Sequence, residues 1–219
     1  MTETRYDGLL LDHDGVIVTL CSHEVLGRAA TDAFVDAGVS DPRPADVETI
    51  TIRVSEDELC AVADRYGIDP DRLWQCREQR IEQTLRTEVS AGRKAPYEDV
   101  PCLDRVPVPI GIVSNNQHET IENVLEYTDV GAFDVWYGRE PTLRGIERKK
   151  PRPYYLERAI ADLEASNPLY VGDSRVDVEA ANALGIDAAF VRRDHRLDYA
   201  LSSEPTYEIE SLESLTDLL

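Results

Sequence analysis

The sequence predicts an α/β protein, a doubly wound and mostly parallel sheet interrupted by a helical insertion. Three observations carry this. Short apolar runs recur at 9–11, 109–113, 168–171 and 187–191 without strict alternation, as expected of strands buried on both faces. Stretches of helical spacing alternate with them, the pattern of parallel strands joined by crossover helices. Between the first two runs, residues 18–97 hold helical spacing and no comparable strand run.

The elements follow in order. Leu9-Leu10-Leu11 ends in Asp12-His13-Asp14-Gly15, so the strand delivers two carboxylates to its own carboxyl end. After Thr19, the residues Val25, Leu26, Ala29, Ala30, Ala33, Phe34 and Ala37 share one helical face, and Gly38 stops it. Ser55-Glu56-Asp57-Glu58 reads as a capping box for a second helix through Leu59, Val62, Ala63 and Tyr66, closed by Gly67. Asp69 and Pro70 open a third, with Leu73, Trp74, Ile81 and Leu85 on its face. Gly92 and Lys94-Ala95-Pro96-Tyr97 lead back to the second strand, Pro109–Val113, which runs into Ser114-Asn115-Asn116 at an expected helix start. A strand near Phe133–Tyr137 and a helix from about Pro153 to Leu163 precede the strand Pro168–Val171. A helix from Val176 to Leu184 stops at Gly185, and Asp187–Val191 is the last strand expected.

Composition narrows the function classes. A chain of 219 residues can bury a sizeable core without disulfides and hold a small second unit. Cys21, Cys60, Cys76 and Cys102 show no zinc-like or CxxC spacing, so free thiols in a reducing cytosol are expected. Nothing approaches the roughly 18 consecutive apolar residues of a membrane span, and no signal-peptide pattern opens the chain; a soluble cytoplasmic protein is expected. The net charge of −20 comes from 43 acids against 23 basic residues. Such a field repels nucleic acid and anionic membranes. The acid could serve a basic partner or be a solvated surface suited to high salt; its even spread favours the second. The acid-rich, lysine-poor balance resembles that of halophilic archaeal proteins.

Asp12 and Asp14 at a strand end repel each other unless a cation or a shared proton intervenes. Magnesium, which takes carboxylate and phosphate oxygens together, satisfies the pair. The alternative is an Asp-Gly turn with solvated acids. Three later segments bear on the choice: Ser114 with Asn115, Lys150 before Pro151, and Gly172-Asp173-Ser174 followed by Asp177, Ala180-Ala181 and Leu184-Gly185. In order and type the four segments resemble the motifs of the haloacid dehalogenase superfamily over about residues 6–191, within its phosphoglycolate phosphatase-like and β-phosphoglucomutase-like subgroup.

That resemblance implies a Rossmann-like core at 1–17 and 98–219 and an all-helical C1 cap at 18–97. It implies a Mg²⁺-dependent phosphatase that hydrolyses a small phosphate monoester through an aspartyl-phosphate. Asp12 would be the nucleophile. Asp14 would be the general acid and then the base. Asp12, Asp173 and the backbone carbonyl of Asp14 would hold the metal. Ser114, Asn115 and Lys150 would bind the phosphoryl group, and Lys150, rather than Lys149, would neutralise it. Asp177 stays open between a partner of metal-bound water or of Lys150 and a helix N-terminal charge.

Two positions depart from the family's habit. His13 replaces a more often apolar residue, and strand alternation should turn it away from Asp12. Val16 replaces a common threonine. Arg53, Arg77, Arg80 and Arg93 could bind an anionic substrate or pair at the surface. A 2-haloacid dehalogenase would lack the second carboxylate, Asp14. A phosphonatase would need a cap lysine, and Lys94, near the cap exit, is the one lysine in that stretch. A phosphomutase acting on a sugar phosphate and a non-catalytic regulatory or binding protein remain as alternatives; release of free phosphate separates them from the phosphatase. The expected partner is a small phosphorylated metabolite. No oligomeric state follows.

Overall fold

The computed structural model describes residues 5–128, 130–131 and 133–219; the start of the expected core range 1–17 therefore lies outside the described residues. Six strands form one all-parallel sheet: β1 (Gly8–Leu11), β2 (Ile110–Gln117), β3 (Val135–Arg139), β4 (Pro168–Gly172), β5 (Asp187–Val191) and β6 (Tyr207–Ile209). Their order is β3-β2-β1-β4-β5-β6. Leu11 lies beside Ile112 of β2 and Val171 of β4. The order reverses at β1, so the carboxyl ends of β1, β2 and β4 meet at the switch point where open α/β sheets bind ligands.

Both faces of the sheet are covered, which is why its strands read as apolar runs. One face buries Leu9, Leu11, Ile112 and Val171 against Ile121 and Val124 of α5 (His118–Tyr127) and against the C-terminal Leu212 and Leu215. The other buries Leu10, Val113, Tyr170 and Phe190 against α7 (Tyr154–Asp162) and α8 (Arg175–Leu184).

The insertion consists of α1 (His23–Asp36), α2 (Pro44–Thr51), α3 (Glu56–Tyr66) and α4 (Pro70–Ser90). Ser55 and Glu58 form the expected capping box, and Gly67 closes α3 at φ 64°, a backbone that glycine adopts without cost. Phe34, Ile50, Leu59, Val62, Leu73 and Trp74 make a separate small core, joined by Ile146 of α6 (Leu143–Arg148). The way out and the way back run side by side: Thr19 N–H donates to Ala95 O at 2.9 Å and Tyr97 N–H to Ile17 O at 3.0 Å.

The structure departs from the sequence reading at several elements. It adds α2 and α6, shorter than the roughly 11–18 residues over which helical periodicity is read, and β6, shorter than the roughly 4–8 over which strand alternation is read. It also extends β2 through Gln117, so Ser114–Asn116 lie on a strand extension and the helix starts only at His118. No helix of the described residues is long and apolar enough to cross a membrane.

Candidate active site

Asp12 leaves β1 with its backbone N–H donating to Val171 O at 2.8 Å. Its Oδ1 accepts from the His13 N–H at 2.7 Å and sits 2.9 Å from Lys150 Nζ. Lys150 also lies 2.7 Å from Asp177 Oδ1 and donates to Val113 O at 2.9 Å. An ammonium only 2 % exposed persists because two carboxylates face it: burial lowers its pKa, but Asp12 and Asp177 more than reverse that. Asp177 fills both roles left open for it, because its Oδ2 accepts from Ser174 N–H at 3.0 Å and caps α8.

The residues present fit a hard divalent cation. Asp12, Asp173 and Asp177 each bring a carboxylate oxygen within 4.8 Å of the others, all buried. Burial pushes the Asp12 carboxyl up to about 8, Lys150 opposing and Asp177 and Asp173 adding to the rise; a cation on this cluster would relieve that repulsion. The Asp14 side chain, expected beside these acids, turns elsewhere. Asp173 Oδ2 meets His195 Nε2 at 2.7 Å and Arg196 Nε at 2.9 Å. Gly15, at φ 83°, lets this packing exist, since a Cβ there would enter the Asp173 carboxylate.

Asp14 is held on three sides. Oδ1 pairs with Lys94 Nζ, Oδ2 accepts from Asn116 Nδ2 at 2.9 Å, and His13 Nδ1 lies 3.5 Å from Oδ2. Burial raises the Asp14 carboxyl, yet Lys94 and His13 together hold it far below the usual range. Burial lowers the His13 pKa against the opposing pull of Asp14, and neither ring nitrogen has a hydrogen-bond partner among the described residues.

Ser114 Oγ is buried and accepts from Asn116 N–H at 3.1 Å, and among the described residues its own proton has no acceptor. The Asn115 amide is committed to Lys150: it donates to Lys150 O at 2.9 Å and accepts from Lys150 N–H at 2.7 Å. That side chain therefore shapes the lysine loop rather than facing a phosphoryl group. Lys149 points away, donating to Val54 O. Burial and the neighbouring Arg139 and Arg77 lower its pKa to about 8.

Three of the four arginines weighed as substrate ligands are committed: Arg77 to Glu78, Arg80 to Asp36 and Arg93 to Glu88. Arg53 is exposed at φ 64°. Lys94 was weighed only as a phosphonatase lysine and Asn116 only as part of a strand end, and His195 and Arg196 escaped the sequence reading. Lys94 carried a signal, as one of three lysines among 23 basic residues. His195 and Arg196 carried none beyond lying shortly after β5, at the same sheet edge.

Acids at the carboxyl edge of a parallel sheet, a buried lysine between them and a helical insertion after β1 define a hydrolase scaffold of one class. The family model for haloacid dehalogenase-like hydrolases matches residues 7–191, and the chain belongs to that family. It is 29% identical over 192 residues to a phosphoglycolate phosphatase of Pectobacterium atrosepticum, covering 83% of this chain and 78% of that one. It is 29% identical over 162 residues to the pyrophosphatase PpaX of Anoxybacillus flavithermus, 70% of this chain and 72% of that one. Other relatives are (S)-2-haloacid dehalogenases of Pseudomonas putida. A crystal structure of a candidate phosphoglycolate phosphatase from Lactobacillus plantarum superposes with a TM-score of 0.71 at 17% identity, over 99% of this chain and 100% of that one; this likeness concerns the fold alone. These relatives are bacterial and lend the archaeal likeness of the composition no support.

Proposed function

We propose that this hydrolase is a Mg²⁺-dependent phosphatase acting on a small phosphate monoester, with residues 18–97 as its cap. The observation that carries this reading is the second carboxylate, Asp14, two residues from Asp12 and fixed by Lys94 and Asn116. Displacing halide from carbon needs no proton donor, whereas expelling an alkoxide from phosphorus does; a built second acid suits the ester.

In this mechanism a carboxylate oxygen of Asp12 attacks phosphorus, and the bond to the leaving oxygen breaks as Asp14 supplies its proton. Asp14 then takes a proton from water, which attacks the aspartyl-phosphate and restores the Asp12 carboxylate with release of phosphate. Lys150 and the Ser114 hydroxyl offset the phosphoryl charge. Asp12, Asp173 and the Asp14 carbonyl would hold Mg²⁺, which when bound screens the nucleophile from the phosphoryl oxygens. The proton that Asp14 supplies is the one it took from water in the preceding turnover; Lys94 favours the carboxylate form that accepts it and opposes the protonated form that donates it. The cap excludes bulk water, consistent with Asp12, Lys150 and Asp173 being 8 %, 2 % and 2 % exposed. The even acidic charge and the free cysteines support a cytoplasmic, salt-adapted protein.

A phosphate-release screen over phosphoglycolate, sugar phosphates and p-nitrophenyl phosphate, with Mg²⁺ or with EDTA, tests the proposal. Metal-dependent release is expected. Chloride release from 2-chloropropionate with no phosphate release from any ester would reverse it.

A further inference from the structure

The chain spends arginine almost everywhere a cation is needed, and its three lysines all lie where the insertion meets the strand ends. Lys150 serves Asp12, and Lys149 meets the cap backbone at Val54. Lys94 is 1 % exposed, and its ammonium meets Asp14 and the Thr19 carbonyl, the latter at 2.9 Å. Its backbone N–H donates to Glu88 O in the last turn of α4, at 3.1 Å. One residue therefore hangs from a cap helix, grips the outgoing linker at Thr19, and ends on a carboxylate of the reaction centre. A buried ammonium is retained only where it is paired, and the partner here is Asp14 rather than a structural acid of the cap.

We propose that Lys94 is a positioning residue through which the cap sets the Asp14 carboxylate, so that cap placement and the orientation of the leaving-group acid are fixed by one contact. The inference rests on the role proposed above for Asp14. When the cap docks, α4 carries Lys94 against Asp14, and Asn116 completes the grip from β2. A lysine suits the slot because its compact ammonium meets Asp14 and Thr19 from one point, which a planar guanidinium cannot do.

The test is a double-mutant cycle read in kcat and KM, using p-nitrophenyl phosphate and an alkyl phosphate that the wild type hydrolyses. Lys94→Met should lower kcat on the alkyl ester by roughly 10–100-fold with KM nearly unchanged, and should lose less on p-nitrophenyl phosphate. In an Asp14→Asn background the same change should cost nothing further, because the group it positions is gone. Should Lys94→Met fail to fold by circular dichroism, Lys94→Ala with added propylammonium decides: restored kcat supports the inference, and absence of rescue overturns it. Wild-type kcat in folded Lys94→Met overturns it, as does an equal loss in both backgrounds, which marks a purely structural lysine. These failures leave the phosphatase reading standing. A wild type that releases no phosphate from any ester defeats that reading first and this inference with it.

Discussion

Glu78 of α4 and Arg139 of β3 join the insertion to the sheet by a two-point ion pair, with Nη1 to Oε2 at 2.6 Å and Nη2 to Oε1 at 2.9 Å. Arg77 adds a third contact to Oε1 at 2.6 Å, and both guanidiniums lie about 5 Å from the Trp74 ring centre. Burial raises the Glu78 carboxyl, but Arg139 and Arg77 together hold it below its ordinary value. Arg139 Nε also donates to Asn115 O at 2.9 Å, so this junction abuts the strand extension that carries Ser114 and Asn115.

Removing the shared acid leaves two guanidiniums buried against each other. Glu78→Gln should therefore destabilise the fold by about 3–5 kcal/mol, the usual cost of breaking a buried pair from one side. Urea unfolding at neutral pH measures it. A loss under about 1 kcal/mol would mean the junction is solvated in solution.

The contrast with the rest of the site shows what a sequence exposes. Asp12, Asp14, Lys150 and Asp173 were legible because each sits at a strand end or a turn marked by Gly or Pro, where local pattern and chemistry coincide. The Glu78–Arg139 pair was not, since the two are 61 residues apart and each looks like an ordinary charge on its own element. Lys94 was visible as a rare lysine, but its partner Asp14 lies 80 residues away. Asn115 misled for a related reason: its position suits phosphate, and only the fold shows its amide spent on the Lys150 backbone.

Asp14→Asn should separate proton transfer from nucleophilic attack. Phosphorylation by an alkyl ester should slow by roughly 10²–10⁴-fold, whereas p-nitrophenyl phosphate, whose leaving group scarcely needs a proton, should suffer less. Single-turnover rates with the two esters give the comparison. Equal losses would contradict the acid role.

Acid stability has a marked contributor in the insertion. Arg43 donates to both oxygens of Asp46 at 2.8 and 2.9 Å, and Tyr66 OH at 2.6 Å. The Arg43 bonds, helped by Tyr66 and opposed by burial, bring the carboxyl from 3.8 to about 2. The folded pKa is the lower one, so this stability is present above about pH 4 and fades as pH falls toward 2. Asp46→Asn should melt about 2–4 °C below wild type at pH 6, with the gap closing between pH 4 and 2. A gap independent of pH would refute the assignment.

The net charge of −20 predicts a salt response. Raising KCl from about 0.1 M to 1 M shrinks the Debye length from ~10 Å to ~3 Å and relieves repulsion among evenly spread acids. The melting temperature should rise along that series at saturating, constant Mg²⁺, which keeps metal linkage from imitating screening. A flat or falling series would point instead to a basic partner for the acidic surface.

The central claim is that Asp12 carries the phosphoryl group. Rapid quench of the enzyme with a ³²P-labelled ester, followed by peptide mapping, should find the label on Asp12 in wild type. Asp12→Asn should remain folded, show no label, and turn over roughly 10⁴-fold more slowly or worse. Label on any other residue, or a folded Asp12→Asn variant that still releases phosphate at the wild-type rate, would contradict the account.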